Sequence, residues 1–189
     1  MMGSMTNLPR MTCALVLLTM PCAAAQTDHA ARIDRLQREL MAAPGATVFL
    51  TSRCAELHLA DPAVVRAQNV PAPDGAPADV RALLKVDAAE PVRHRHVNLT
   101  CGGHVLSEAD NWYVPARLTP AMNTSLDTSD TPFGTVVRPL NFHRRTVETA
   151  RPAAGETVLQ VKAVLLTPQE MPISLVVENY QETLLGEGE

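Results

Sequence analysis

VRHRHVNLTCGGHVLSEADNWYV, residues 92–114, is the stretch whose reading decides the fold. Two extended runs, Val92 to Thr100 and Val105 to Val114, flank Cys101, Gly102, Gly103 and His104, and a glycine pair between extended runs marks a β-hairpin. In the first run the pleat places Arg93, Arg95, Val97 and Leu99 on one face and Val92, His94, His96 and Asn98 on the other. The Val97 and Leu99 face is the inner one, so Arg93 and Arg95 point toward the core or its mouth. Arginine is costly to bury unpaired but matches a carboxylate in a planar fork. The two arginines therefore read either as an anion site or as ordinary surface cations in salt bridges.

Moving outward, a second hairpin follows from Val158 to Leu166 and Ile173 to Tyr180, with a strand-like run near Phe142 to Thr149 before it. Between the hairpins lie a helical stretch from Pro120 to Leu126 and the turn Thr131 to Gly134. Upstream, Ile33, Leu36, Leu40 and Met41 recur at helical spacing, with Asp28 as a cap and Pro44 and Gly45 as the stop. Thr47 to Leu59 is a second helix, with Val48, Leu50, Cys54, Leu57 and Leu59 apolar and Thr47 or Thr51 as cap. An extended piece, Val64 to Val70, a loop at residues 71–79 and a short helix capped by Asp79 complete the series. Hairpins make an antiparallel sheet, and helices before and between them cover one face, which predicts a single α+β domain.

The chain has 189 residues, 46% hydrophobic, 19% charged and 3% aromatic, with formal net charge −4. These proportions exclude collagen-like, disulfide-dense and charge-rich disordered classes. Residues 1–25 combine a lone Arg10, an apolar run from Met11 to Met20 and an Ala23-Ala24-Ala25 end, the layout of a secretory signal cleaved after Ala25. The run is shorter than the roughly 20 residues that cross a bilayer, and no later segment is long and apolar enough. Cleavage would remove only Arg10 from the charge count, leaving residues 26–189 with 15 basic against 20 acidic side chains. An acidic chain of this kind is not expected to bind nucleic acid, although local basic pockets for small anions remain open. A periplasmic or secreted location permits a disulfide between Cys54 and Cys101, the alternative being two buried thiols.

His94 and His96 share a strand face near His104, but further ligands at fixed spacing are missing, and no metal site is expected. Glu178 shares a face with Val176 and Tyr180 on a strand apolar on both sides. It reads as a buried carboxylate suited to proton transfer unless an arginine holds it ionised, or as an edge glutamate facing water.

Four segments recur in family order: Val92 to Arg95, Leu106 to Pro115, Asp130 to Gly134 and Leu175 to Tyr180. On these residues the C-terminal half, about 90–180, resembles the chorismate pyruvate-lyase superfamily, which includes the ligand-sensing UTRA domains of transcription regulators. The resemblance implies a six-stranded antiparallel sheet with helices on one side and a ligand cavity closed by helical flaps. It implies an enzyme without cofactor that eliminates pyruvate from chorismate to leave 4-hydroxybenzoate, using two arginines and a glutamate. Carried over, Arg95 matches the first arginine and Glu178 the glutamate, both as catalytic residues, while Asn111 stands at the second arginine. Arg93 is the nearby cation placed to substitute, and Tyr113 and Phe133 join Asn111 and Arg93 as candidate substrate contacts. Two functions follow: a lyase acting on chorismate or a related enol-ether acid, or an exported module that binds a small carboxylate without turnover. Arg95 and Glu178 favour the first; Asn111 and the signal favour the second. A monomer with no partner beyond the small molecule, and no membrane contact after cleavage, is expected in either case.

Overall fold

The computed structural model describes residues 22–72 and 77–186. The signal reading of residues 1–25 lies outside these, apart from its last four residues. Helices α1 (Cys22–Ala42) and α2 (Ala46–Glu56) lead into strand β1 (Val65–Asn69) and the short helix α3 (Val80–Leu84). The hairpin β2 (Arg93–Cys101) and β3 (His104–Tyr113) comes next, then α4 (Pro120–Thr128), α5 (Phe133–Val136) and the strands β4 (His143–Ala150), β5 (Thr157–Leu166) and β6 (Pro172–Gln181). The strands form one antiparallel sheet in the order β1-β2-β3-β6-β5-β4, so the α+β architecture and the six-stranded sheet are as expected. No helix among the described residues is long and apolar enough to cross a membrane.

The hairpin closes where Cys101 faces His104, with Gly102 at φ +58°, a conformation in which a side chain would be strained. A Cβ there would also stand 3.1 Å from the Leu59 carbonyl oxygen. Strand β4 carries one more residue than β5 between Thr146 and Glu148, so Val147 bulges outward and is 43% exposed.

One face of the sheet carries the main core: Val97, Leu99, Ala109, Leu165, Val176 and Tyr180 pack beneath Leu36 and Leu40 of α1 and Phe49, Leu50 and Cys54 of α2. The other face is largely polar, except where Val80 and Leu84 of α3 seal Trp112, Val164, Leu166 and Leu175 into a smaller cluster. A disulfide joins Cys54 to Cys101 with Cα atoms 6.3 Å apart, both cysteines fully buried. It ties the last turn of α2 to the end of β2.

Several local expectations are corrected. Asp28 lies inside α1 rather than at its start, because the helix begins at Cys22. Gly45, not a threonine, precedes α2; Thr51 instead donates its hydroxyl to the Thr47 carbonyl, 2.8 Å away. Within α2 it is Phe49 that is buried while Val48 is 49% exposed, since the helix turns that side toward the sheet. Asp79 makes no capping bond; its carboxylate takes Lys162 Nζ at 2.7 and 2.8 Å, and that bond holds its pKa below the usual carboxylate value. The turn at Thr131 to Gly134 runs directly into α5, which begins at Phe133.

Candidate functional site

A cavity of about 660 Å³ opens between the sheet and the helical layer, within the size range that encloses small organic ligands. Its floor is the inner sheet face: Arg95 and Val97 from β2, Ala109 and Asn111 from β3, Val176 and Glu178 from β6. Its roof is the first half of α2 and the start of α5, and residues 138–144 supply a side wall. Gly134 lets the two roof helices meet, because a Cβ there would stand 3.1 Å from Thr47 Oγ1.

Arg95 is 8% exposed and carries three hydrogen bonds of 3.1 Å: Nε to Asn69 Oδ1, and the terminal nitrogens to the carbonyls of Thr131 and Ser129. All three acceptors are neutral. Burial pulls its pKa below the ordinary arginine value, while Tyr113, Asp127 and Asp130 oppose this from a distance. Both aspartates are engaged elsewhere, Asp127 by Arg93 and Asp130 by Arg66. Arginine does not lose its proton in proteins, so Arg95 places an uncompensated positive charge in the cavity.

Glu178 is buried, and its Oε2 accepts from Arg144 and, at 2.9 Å, from the Tyr180 hydroxyl. Arg144 reaches over the sheet from β4 to make this pair. Burial opposes its charge, but Glu178 and then Tyr180 outweigh that and hold the guanidinium above its ordinary value. Tyr180, fully buried beside the carboxylate, has its pKa pushed well above 10. Arg144 Nε is buried without any hydrogen-bond partner, a deficit that costs about 1–3 kcal/mol in a closed core.

Of the residues singled out from the sequence, Arg95, Asn111, Phe133 and Glu178 line the cavity together. Asn111 faces Arg95 across the hairpin and accepts from Ser174 Oγ, while its Nδ2 has no partner among the described residues. Arg93 and Tyr113 are not part of the lining. Arg93 sits at the exposed start of β2 and pairs with Asp127 at 2.9 Å; Tyr113 is buried behind Phe133, ring centroids 5.5 Å apart. His94 and His96 lie on the opposite sheet face, sharing Asp110 Oδ1 at 2.7 and 2.9 Å, with His94 stacked on Trp112 at 4.6 Å. No group of three or more His, Cys, Asp or Glu side chains among the described residues could hold a metal ion.

Over 187 aligned positions the sequence is 37% identical to the uncharacterized protein y4mC of Sinorhizobium fredii, covering 85% of this chain and 78% of that protein. The chain belongs to the y4mC family. No family model matches the sequence. Among solved structures, the chain is similar to the effector domain of PhnF from Mycobacterium smegmatis (TM-score 0.48, 16% identity, 63% of this chain and 82% of that one). It is likewise similar to the ligand-binding domain of a GntR-family transcriptional regulator from Bordetella bronchiseptica (TM-score 0.46, 16% identity, 62% of this chain and 83% of that one).

Sequence reasoning missed two cavity residues of this y4mC-family member, Arg138 and Arg144. Arg144 alternates with exposed neighbours on an edge strand with little apolar patterning, and Arg138 lies in a 3-10 turn, Arg138–Leu140, so neither carries a periodic signal. A count of cations near the second hairpin is the only cue that would have raised them.

Proposed function

We propose that this y4mC-family chain is a binding module for a small organic carboxylate, which enters the cavity and pairs with Arg95. One observation carries the reading: Arg95 is buried, lines the cavity and has only neutral hydrogen-bond acceptors. A carboxylate is the partner that such a guanidinium lacks. The wider charge pattern agrees, since three arginines against one glutamate give the lining a net +2 in a chain of net −4. Val97, Ala109, Val176 and Phe133 leave apolar room for a ring or short chain.

The lyase reading has one observation in its favour, the presence of Arg95 and Glu178 in the same cavity. In that scheme Arg95 would hold a carboxylate of chorismate or a related enol-ether acid while Glu178 orients the departing oxygen. Glu178 is tied to Arg144 and Tyr180, which suits a fixed acceptor better than a proton donor. Asn111 also supplies no charge where the resemblance implies a second arginine. Binding without turnover is therefore the preferred reading. The disulfide supports a periplasmic or secreted location, where such bonds persist.

Calorimetric titration of the purified protein with benzoate and 4-hydroxybenzoate tests the site. Arg95→Gln is expected to weaken binding by about 30-fold or more, the effect of removing a buried charged partner, while Arg93→Gln leaves it unchanged. Failure of both ligands to bind, or full affinity in Arg95→Gln, overturns the reading. Incubation with chorismate is expected to release no pyruvate; release by the wild-type protein above the uncatalysed background would restore the lyase. Cell fractionation checks the location, and recovery in the cytoplasm would remove it.

A further inference from the structure

We propose, building on the carboxylate-pocket reading, that the wall formed by residues 138–144 is a second anion subsite, so that the ligand carries two anionic groups joined by a short apolar spacer. Arg138 lines the cavity mouth, is exposed, and makes no side-chain hydrogen bond or ion pair among the described residues. Just beyond it, Asn141 turns the chain through a left-handed conformation (φ 52°) and also lines the cavity. Arg144 completes the wall, its Nε buried and unpartnered. Two arginines against Glu178 leave this wall with one positive charge in excess, and that excess resides on Arg138 because Arg144 already holds the carboxylate.

The placement of the two cationic ends favours one ligand spanning both. Arg95 is on β2 and the 138–144 wall leads into β4, and four strand spacings separate these strands in the sheet, roughly 19 Å of backbone at about 4.8 Å each. Between these two ends the floor is formed by Ala109, Asn111, Val176 and Leu165, and Arg144 reaches inward over it to Glu178 of β6. A monocarboxylate seated on Arg95 leaves the Arg138 charge unmatched. A second carboxylate or a phosphoryl group at the other end of a ring-sized body matches it, the two groups sharing the same anionic chemistry.

The test compares benzoate, benzene-1,3-dicarboxylate and 3-phosphonobenzoate by calorimetry on the full chain, wild type and Arg138→Gln. At least one dianion is expected to bind the wild type about tenfold tighter than benzoate, equivalent to one added charge-assisted hydrogen bond. In Arg138→Gln the advantage is expected to shrink to within about twofold while benzoate affinity holds. The tighter dianion identifies the second group as carboxylate or phosphoryl. Benzoate binding with no gain from either dianion overturns the second subsite alone, as does a gain that survives Arg138→Gln. Failure of benzoate itself to bind overturns the pocket reading beneath it. Arg138 is exposed, so an unchanged unfolding midpoint in the variant confirms that binding, not folding, is being read.

Discussion

Replacing both Cys54 and Cys101 by alanine is expected to lower the unfolding free energy by about 4 kcal/mol, the chain-entropy value for the 47-residue separation that the bridge closes. In urea this amounts to a midpoint lowered by roughly 2 M for a chain of this size. The effect has a direction in space as well as a magnitude. The bridge holds the last turn of α2 against β2, and the first half of the same helix roofs the cavity. Amide exchange in α2 should therefore accelerate more than exchange in β3 or β6. A loss below about 1 kcal/mol would mean that packing of Phe49 and Leu50 alone secures the roof, because buried side chains of this kind contribute about 1.5–3 kcal/mol each.

The second large effect concerns Arg144 and Glu178. Removing one member of a buried ion pair leaves an uncompensated charge and costs about 3–5 kcal/mol, so Glu178→Gln and Arg144→Met are each expected to be strongly destabilising. The double variant should cost far less than the sum, since replacing both charges with well-matched neutral groups is often close to neutral. A double-mutant cycle read by urea unfolding checks this. Additive single effects would show that the two side chains do not act as a unit, and would place the cost in packing instead. Tyr180, which donates to the same Glu178 oxygen, makes Tyr180→Phe a milder probe of the same network, with an expected loss of about 1 kcal/mol.

What could be read in the sequence divides along physical lines. Strand pairs declare themselves through glycine and proline punctuation and through period-two patterning, so both hairpins, the α+β class and the inward side of Arg95 are legible, whereas Glu178 stays open between core and solvent because its strand is apolar on both faces. The pleat also put Arg93 on the face of Arg95, correctly as a matter of alternation. It could not tell that Arg93 sits at the strand's open end, where the partner is Asp127 of α4 rather than the cavity. In α2, the run Val48-Phe49-Leu50 fits two helical phases. Only the position of the sheet beneath decides that Phe49 turns in and Val48 out. Arg144 was illegible for a different reason. Its role depends on an arm that crosses from β4 over β5 to Glu178 on β6, a contact between residues 34 apart in sequence that leaves no local mark. Side walls assembled from irregular chain, such as residues 138–144, are where patterning has least to offer.

The bulge at Val147 bears on how this molecule behaves in company. Strand β4 ends the sheet, and a straight edge strand offers its unpaired amides and carbonyls to any other chain, a route to edge-to-edge aggregation. The extra residue breaks the even spacing of those groups and twists the edge, while Arg145 and Glu148 set charge on both sides of it. The strand that extends Arg144 toward the cavity thus pairs with β5 on one side and resists recruiting a foreign strand on the other.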